Sequence, residues 1–540
     1  MNTRAIGVSM CTATLALVSA GSAAGALPRG YTVQKVDSPN PTAGGNFGIG
    51  FVNVGDLNGD SADDLLVGTD EHGGSEGQVF VISGKDGKTI RTIIPPDAST
   101  TGTKASFGSY VGKLDDITGD GVPELLITAL GVDVGNVVDQ GRAYVYNGAT
   151  GELLKRIDMP PADAATQVGR KPAFGRTILS LGNVVGDSRP DIYVGASDFY
   201  DTSGTNPACN PGPCLQAGRA YVYDGAGISG DPNVPLSTPA YTIKNPLAQT
   251  DDPFTPVNSN RESMGYSVAP VGDVGSCKYM PAGTICPNSA SSGTPDGYPD
   301  FALSDHRVDM FGMFDVGAVL LVDGTNGAIM YVYTHPEPQP ASIFGFTNYN
   351  QPAIGDVGAS TAPDIYEPAM RGNHVYTADG SGYVLNGQFK QGGSPNSISF
   401  ATFRDPTPQP SGDFGTSSAG IGNVAGDSRN EILIGAYGPH NPGTHTGVIG
   451  DAWIFSALTE RPLQGFRDPD NQADDGFGTA LQPIGDVNGD HLLDFAVGAG
   501  LWDGPAGADQ GRIFIFRSVP RVPRKTPGTV LAPAYLPFKG

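Results

Sequence analysis

Apolar residues along the chain come in short runs bounded by Gly, Pro, Asp or Asn, and the runs recur in a fixed order. A Phe-Gly pair, once Met-Gly, opens each round, at Phe47, Phe107, Phe174, Met264, Phe344, Phe414 and Phe477. An apolar stretch follows, and then an acidic loop. A second stretch ends in Gly-Ala or a near equivalent, as in "LLVGTD", "IYVGAS", "ILIGAY" and "FAVGAG". After a variable loop comes a third: "GQVFVI", "GRAYVY" twice, "GAVLLV", "SGYVLN", "DAWIFS" and "GRIFIF". A turn and a fourth stretch close several rounds, as in "NGATGELLKRI".

Runs this short, punctuated by turn formers, predict strands. One four-stranded blade cannot bury both its faces, whereas seven packed around an axis can. The pattern predicts an all-β fold, a seven-bladed β-propeller of four-stranded antiparallel blades over residues 31–517. The seventh round stops after "GRIFIFRS" without a fourth run, and "YTVQKVD" at 31–37 offers one. The N-terminal strand is therefore expected to complete the last blade and hide the open edges.

The acidic loops carry the candidate chemistry. Counting nine positions from Asp56, oxygen-bearing residues fall on alternate places: Asp56, Asn58, Asp60 and Asp64 at positions 1, 3, 5 and 9, with Ala62 at position 7. The same spacing gives Asp116, Thr118, Asp120, Val122 and Glu124, and Asp486, Asn488, Asp490, Leu492 and Asp494. Carboxylates this close repel by several kcal/mol, and a divalent ion among them reverses the sign. Calcium takes six to eight oxygens, and position 7 varies as a backbone-carbonyl ligand allows. Three or more calcium ions are expected. An EF-hand needs a twelfth-position Glu and flanking helices, whereas these flanks read as strands.

The remaining loops depart from the pattern. Blade three offers Asn183, Asp187 and Asp191, and blade six Asn423, Asp427 and Glu431, with Arg189 and Arg429 able to neutralise the acids instead. Blade four offers Asp273, then Asp296, Tyr298 and Asp300 after an insertion. Blade five keeps only Asp356 and Asp364 and is expected to be empty.

Charge and the chain ends narrow the function. The net charge of −23 opposes nucleic acid and anionic membrane surfaces. Residues 1–26 read as a secretory signal peptide, with Arg4 before an apolar stretch and cleavage after Ala24 or Ala26. No other run is long enough to span a bilayer. Residues 518–540 form a Pro-rich, extended tail with several basic residues. Four cysteines remain after the leader, and Cys209–Cys214 and Cys277–Cys286 are the simplest disulfides, a zinc site being the alternative.

Together, "FG" at each start and "VGAS", "IGAY" and "VGAG" after the loops resemble the FG-GAP repeat of the integrin alpha-chain β-propeller. The resemblance implies a secreted or surface protein with calcium in the loops of one face and protein ligands on the other. Aromatic and Met residues after the second strands, Phe199, Tyr200, Met310, Phe311, Phe314, Tyr437 and Trp502, would lie on that ligand face as exposed contacts. No His-Glu-x-x-His or phosphate loop occurs. The expectation is a secreted adhesion or recognition module for a protein or glycan. A hydrolase or lyase on a phosphodiester or polysaccharide, and a structural matrix component, are the alternatives.

Overall fold

The second strand of each round is buried along its whole length, because a neighbouring blade covers each of its faces. Asp64–Gly68, Glu124–Ala129, Asp191–Ala196, Asp300–Asp305, Ile365–Ala369, Glu431–Ala436 and Phe495–Ala499 are buried at every residue. Hence the unbroken apolar runs in the sequence. Outer strands such as Thr89–Ile93 are largely in contact with solvent and read as mixed.

The computed structural model describes residues 13–14 and 30–519, apart from 70–75, 98–103, 203–215, 249–262, 278–279, 288–293, 348–353, 356, 358–363, 373–378, 387–398, 427–428, 439–446 and 448. Most of the leader and of the basic tail, Cys209, Cys214, Asp356 and Asp427 lie outside the described residues.

Seven antiparallel sheets follow one another along the chain. Blade one runs Phe51–Gly55, Asp64–Gly68, Val79–Ile82 and Thr89–Ile93 in order, and its pattern repeats. Blade five shows three strands among the described residues: Ile365–Ala369, Ser381–Leu385 and Ser399–Phe403. The seventh sheet takes its fourth strand from the other end of the chain, with the short strand Ala13–Thr14 paired outside it. Tyr31–Asp37 pairs antiparallel with Arg512–Ser518, Tyr31 opposite Ser518 and Asp37 opposite Arg512.

Seven apolar cores lie between consecutive blades. One joins blades one and two through Leu66, Val81, Phe107 and Leu125. The last joins seven back to one through Ile484, Ile513, Phe51 and Leu65, so the blades form a ring. The opening Phe or Met of every round is fully buried. Six meet a ring of their own third strand edge-on: Phe47–Phe80, Phe107–Tyr144, Phe174–Tyr221, Phe344–Tyr383, Phe414–Phe455 and Phe477–Phe514, with centroids 5.5 to 6.0 Å apart. Such pairs contribute about 0.5–1.5 kcal/mol each beyond the area they bury.

One residue breaks the interblade pattern. Val67, Ile127, Val194, Leu303, Ile434 and Val497, three places after each position-9 acid, all sit in interblade cores. In blade five that place is Glu367, which is buried with its Oε2 lacking a hydrogen-bond partner. Burial pushes its carboxyl from 4.5 up to about 8. Below pH 4.5 both folded and unfolded chains hold this proton. As pH rises toward 8, only the folded chain must keep it, and stability falls. Glu367→Leu is therefore expected to stabilise by about 3 kcal/mol at pH 7 and to lose that pH-dependent advantage near pH 4. Urea unfolding of both proteins at the two pH values checks this.

Candidate metal centres and the opposite loop face

Antiparallel strands place the acidic loops, which join first and second strands, beside the turns between third and fourth strands. The variable loops and the connections between blades lie on the opposite face.

Position 9 has the same placement in every blade. Asp64, Glu124, Asp191, Asp300, Asp364, Glu431 and Asp494 are all buried. Each accepts a backbone amide from the start of its own loop: from Leu57 at 2.9 Å, Ile117 at 3.3 Å, Val184 at 2.7 Å, Val274 at 2.9 Å, Val357 at 3.0 Å, Ala425 at 2.8 Å and Val487 at 3.0 Å. Burial pushes Asp64 and Glu124 up to about 7, Asp300 to about 8 and Asp494 to about 6.

Position 1 folds the loop back on itself. Asp56 accepts the amides of Gly59 at 2.7 Å and Ser61 at 2.8 Å. Asp116 accepts those of Gly119 and Gly121, each at 2.7 Å, which hold its carboxyl below the usual range. Asp486 accepts those of Gly489 at 2.7 Å and His491 at 2.6 Å. Position 5 is fixed by the amide of position 7: Ala62 donates to Asp60 at 3.0 Å, Val122 to Asp120 at 2.9 Å and Leu492 to Asp490 at 3.0 Å. At position 3, Asn58 and Asn488 accept the amides of Asp60 and Asp490 at 2.9 and 3.0 Å, and Thr118 hydroxyl lies 3.4 Å from Asp116.

These loops fit a hard cation on three observations. The Oε2 of Glu124 is buried without a hydrogen-bond partner. No hydrogen bond ends on the carbonyls of Ala62, Val122 or Leu492 among the described residues. Among those residues, no lysine or arginine nitrogen lies within 4.0 Å of these three loops' carboxylates; Lys85 Nζ donates instead to the backbone carbonyl of Asp60 at 2.8 Å, and His491 Nδ1 lies 3.9 Å from Asp486. The carboxylates crowd here without a direct lysine or arginine ion pair, which is the condition a divalent cation relieves.

The weaker loops keep part of this frame. Asn183 and Asn423 accept the amides of Gly186 and Gly426 at 2.8 and 2.7 Å, as aspartate does elsewhere. Arg189 makes no ion pair with Asp187 or Asp191. Arg429 Nη1 donates to the Val357 carbonyl of blade five, at 3.5 Å. In blade four the insertion is closed by the Cys277–Cys286 disulfide and folds onto the outer strand, where Ile285 bridges Ile329. Asp273 therefore still reaches the amides of Asp296 at 3.0 Å and Gly297 at 2.7 Å, beside Tyr298 and above Asp300.

Sequence spacing missed one contributor. Third strands end on a polar side chain that faces the acidic loop. Asn147 Nδ2 donates to Asp120 at 2.7 Å, and the Ser518 hydroxyl to Asp490 at 2.6 Å. In blade three the residue is Asp224, and one carboxylate oxygen from each of Asp187, Asp191 and Asp224 lies within 4.8 Å of the others. Position 3 is Val185 there, so Asp224 brings an oxygen where the loop lacks one. The signal was the "SG", "NG" or "DG" that ends each "VI", "VY" or "LV" strand. It lies too far along the chain for loop spacing to reveal it.

On the opposite face the structure corrects three expectations. Phe199 and Tyr437 are 1% exposed and Trp502 9%, so none is an exposed contact. Phe199 and Trp502 share a place with buried Val132 and Val308, three residues past the second strand, where the backbone closes a hairpin. Their carbonyls accept the amides of Gly218 and Gly511. The guanidinium of Arg219 covers Phe199 at 3.8 Å, and that of Arg512 covers Trp502 at 3.4 Å. Tyr200 is half-buried beneath Arg170, and Met310 is half-buried. Phe311 and Phe314 are exposed.

Seven blades, each opened by a buried Phe-Gly or Met-Gly and each with a buried acid at position 9, form a β-propeller similar to the FG-GAP propellers of integrin alpha chains. The FG-GAP repeat family model matches residues 477–516, the seventh round. The chain is similar to integrin alpha-PS2 of Drosophila melanogaster, 36% identical over 124 residues, which is 22% of this chain and 9% of that protein. It is similar to integrin alpha-5 of Xenopus laevis, 30% identical over 188 residues, 34% of this chain and 16% of the relative. It is also similar to phosphatidylinositol-glycan-specific phospholipase D of Bos taurus, 32% identical over 152 residues, 26% of this chain and 17% of the relative. The chain thus spans less than a fifth of the length of these curated relatives.

Proposed function

We propose that this protein is an exported, calcium-binding recognition module whose variable-loop face engages a protein ligand. The observation that carries the reading is the donor set of blades one, two and seven. Each loop carries position-1, -5 and -9 carboxylates, a position-3 oxygen and an uncommitted position-7 carbonyl, with no lysine or arginine paired to the carboxylates. Calcium there would be structural, tying each loop to its blade, and would leave the opposite face to the ligand. Similarity to integrin alpha chains supports a protein as that ligand. The charge of −23 argues against nucleic acid, and among the described residues no helix is long and apolar enough to cross a membrane.

Arrays of extracellular protein domains and of glycans, probed with the purified chain in calcium and in chelator, test this. Calcium-dependent capture by protein spots is expected. Capture by glycan spots alone would reassign the ligand class. Turnover of a polysaccharide or phosphodiester substrate would overturn the binding-module reading.

A further inference from the structure

Three variable loops share one frame. Each runs from aspartate to aspartate across five residues: Asp133 to Asp139, Asp309 to Asp315 and Asp503 to Asp509. In each, the first carboxylate accepts the amide of the last residue, at 2.9, 2.8 and 2.9 Å. A bridge closes each hairpin: Val134 with Val137, Met310 with Met313 and Gly504 with Gly507.

The third residue of this frame separates blade four from blade two. In blade two it is Gly135, at φ 58°. In blade four it is Phe311, at φ 56°. That left-handed conformation is natural to glycine and strained for a bulky side chain. Burial does not compensate, because Phe311 is 61% exposed and Phe314, three residues on, is 36% exposed. Neither backbone preference nor core packing explains an aromatic ring held out in water at a strained position.

We propose that the 309–315 hairpin is the anchor by which the propeller grips its protein partner. Phe311 and Phe314 enter an apolar pocket on that partner, and the pocket carries a basic rim. The proposal rests on the recognition reading and locates its contact. Aromatic side chains seated in a pocket dominate interface energetics. The occupant's charge follows from the surroundings. Asp309 and Asp315 stand at the base of the knob, on a chain of net charge −23. A second copy of this chain or an anionic lipid surface is repelled, and lysine or arginine around the pocket is complementary.

The test uses the full chain in calcium and a displayed library of random dodecapeptides. Enriched peptides are expected to pair apolar residues with flanking Lys or Arg. Phe311→Gly and Phe314→Ser are each expected to weaken their binding about tenfold or more, and added salt to weaken it further. Phe311→Gly is also expected to melt no lower than the parent, since glycine relaxes the strained φ. A marked fall in its melting temperature would show a structural ring and overturn the proposal. Enriched peptides indifferent to both variants would overturn the anchor while leaving a recognition face elsewhere. No enrichment at all would overturn the recognition reading with it. Variant-sensitive binding to phosphatidylcholine vesicles without peptide binding, or variant-sensitive dimerisation, would replace the partner class.

Discussion

Gly141→Ala is expected to cost about 4 kcal/mol and to leave much of the protein unfolded or aggregated. A Cβ at Gly141 would lie 2.0 Å from the carbonyl oxygen of Phe174, the residue that opens the next blade, and 3.0 Å from its carbonyl carbon. The residue also holds φ at +87°. Backbone meets backbone here, so no side chain can move aside. Overpacking costs about 1–3 kcal/mol and the left-handed conformation about 1–2 kcal/mol. The contact recurs at every seam: Gly77, Gly218, Gly317, Gly380, Gly450 and Gly511 each place a Cβ 2.0 to 2.3 Å from the next blade's opening carbonyl. Gly169→Ala is the control. It has φ +77° but nothing within 4 Å, and is expected to cost only about 1–2 kcal/mol. Equilibrium urea unfolding of both variants measures the difference.

The second large effect is thermal. Calcium at a hundredfold excess over its dissociation constant stabilises a folded chain by about 2.7 kcal/mol per site. Three sites give about 8 kcal/mol. A ring of roughly 490 residues unfolds with an entropy near 1 kcal/mol per degree, so the melting temperature is expected to rise by about 8 °C over chelator. The buried acids of the loops give the rise its origin. Asp64 and Glu124, pushed up to about 7 by burial, gain a neighbouring positive charge that their surroundings lack. A calorimetric scan in each condition makes the comparison, and an unchanged melt would count against a structural role for the ion.

The seven-bladed architecture was legible because each blade is nearly the same local problem. Buried Phe-Gly pairs, unbroken second strands and acidic loops recur in fixed order, so periodicity carried the fold. Loop positions 1, 5 and 9 were legible for the same reason, since their partners are amides a few residues away. What the sequence hid were relations across the fold. Asp224 reaches its loop from a different strand. Phe199 and Trp502 look like exposed loop aromatics until the arginines that begin the third strands are laid over them. Glu367 reads as an ordinary strand residue until its register places it between blades. In each case the deciding neighbour is distant in sequence, where local spacing carries no information.

Bound calcium per chain, counted by equilibrium dialysis of the full protein, tests the central claim most directly. The account predicts at least three ions. Asp60→Ala, Asp120→Ala and Asp490→Ala, each altering a position-5 carboxylate near the surface, should each remove one while the fold persists. A count of zero, or a count that none of the three substitutions lowers, would contradict it.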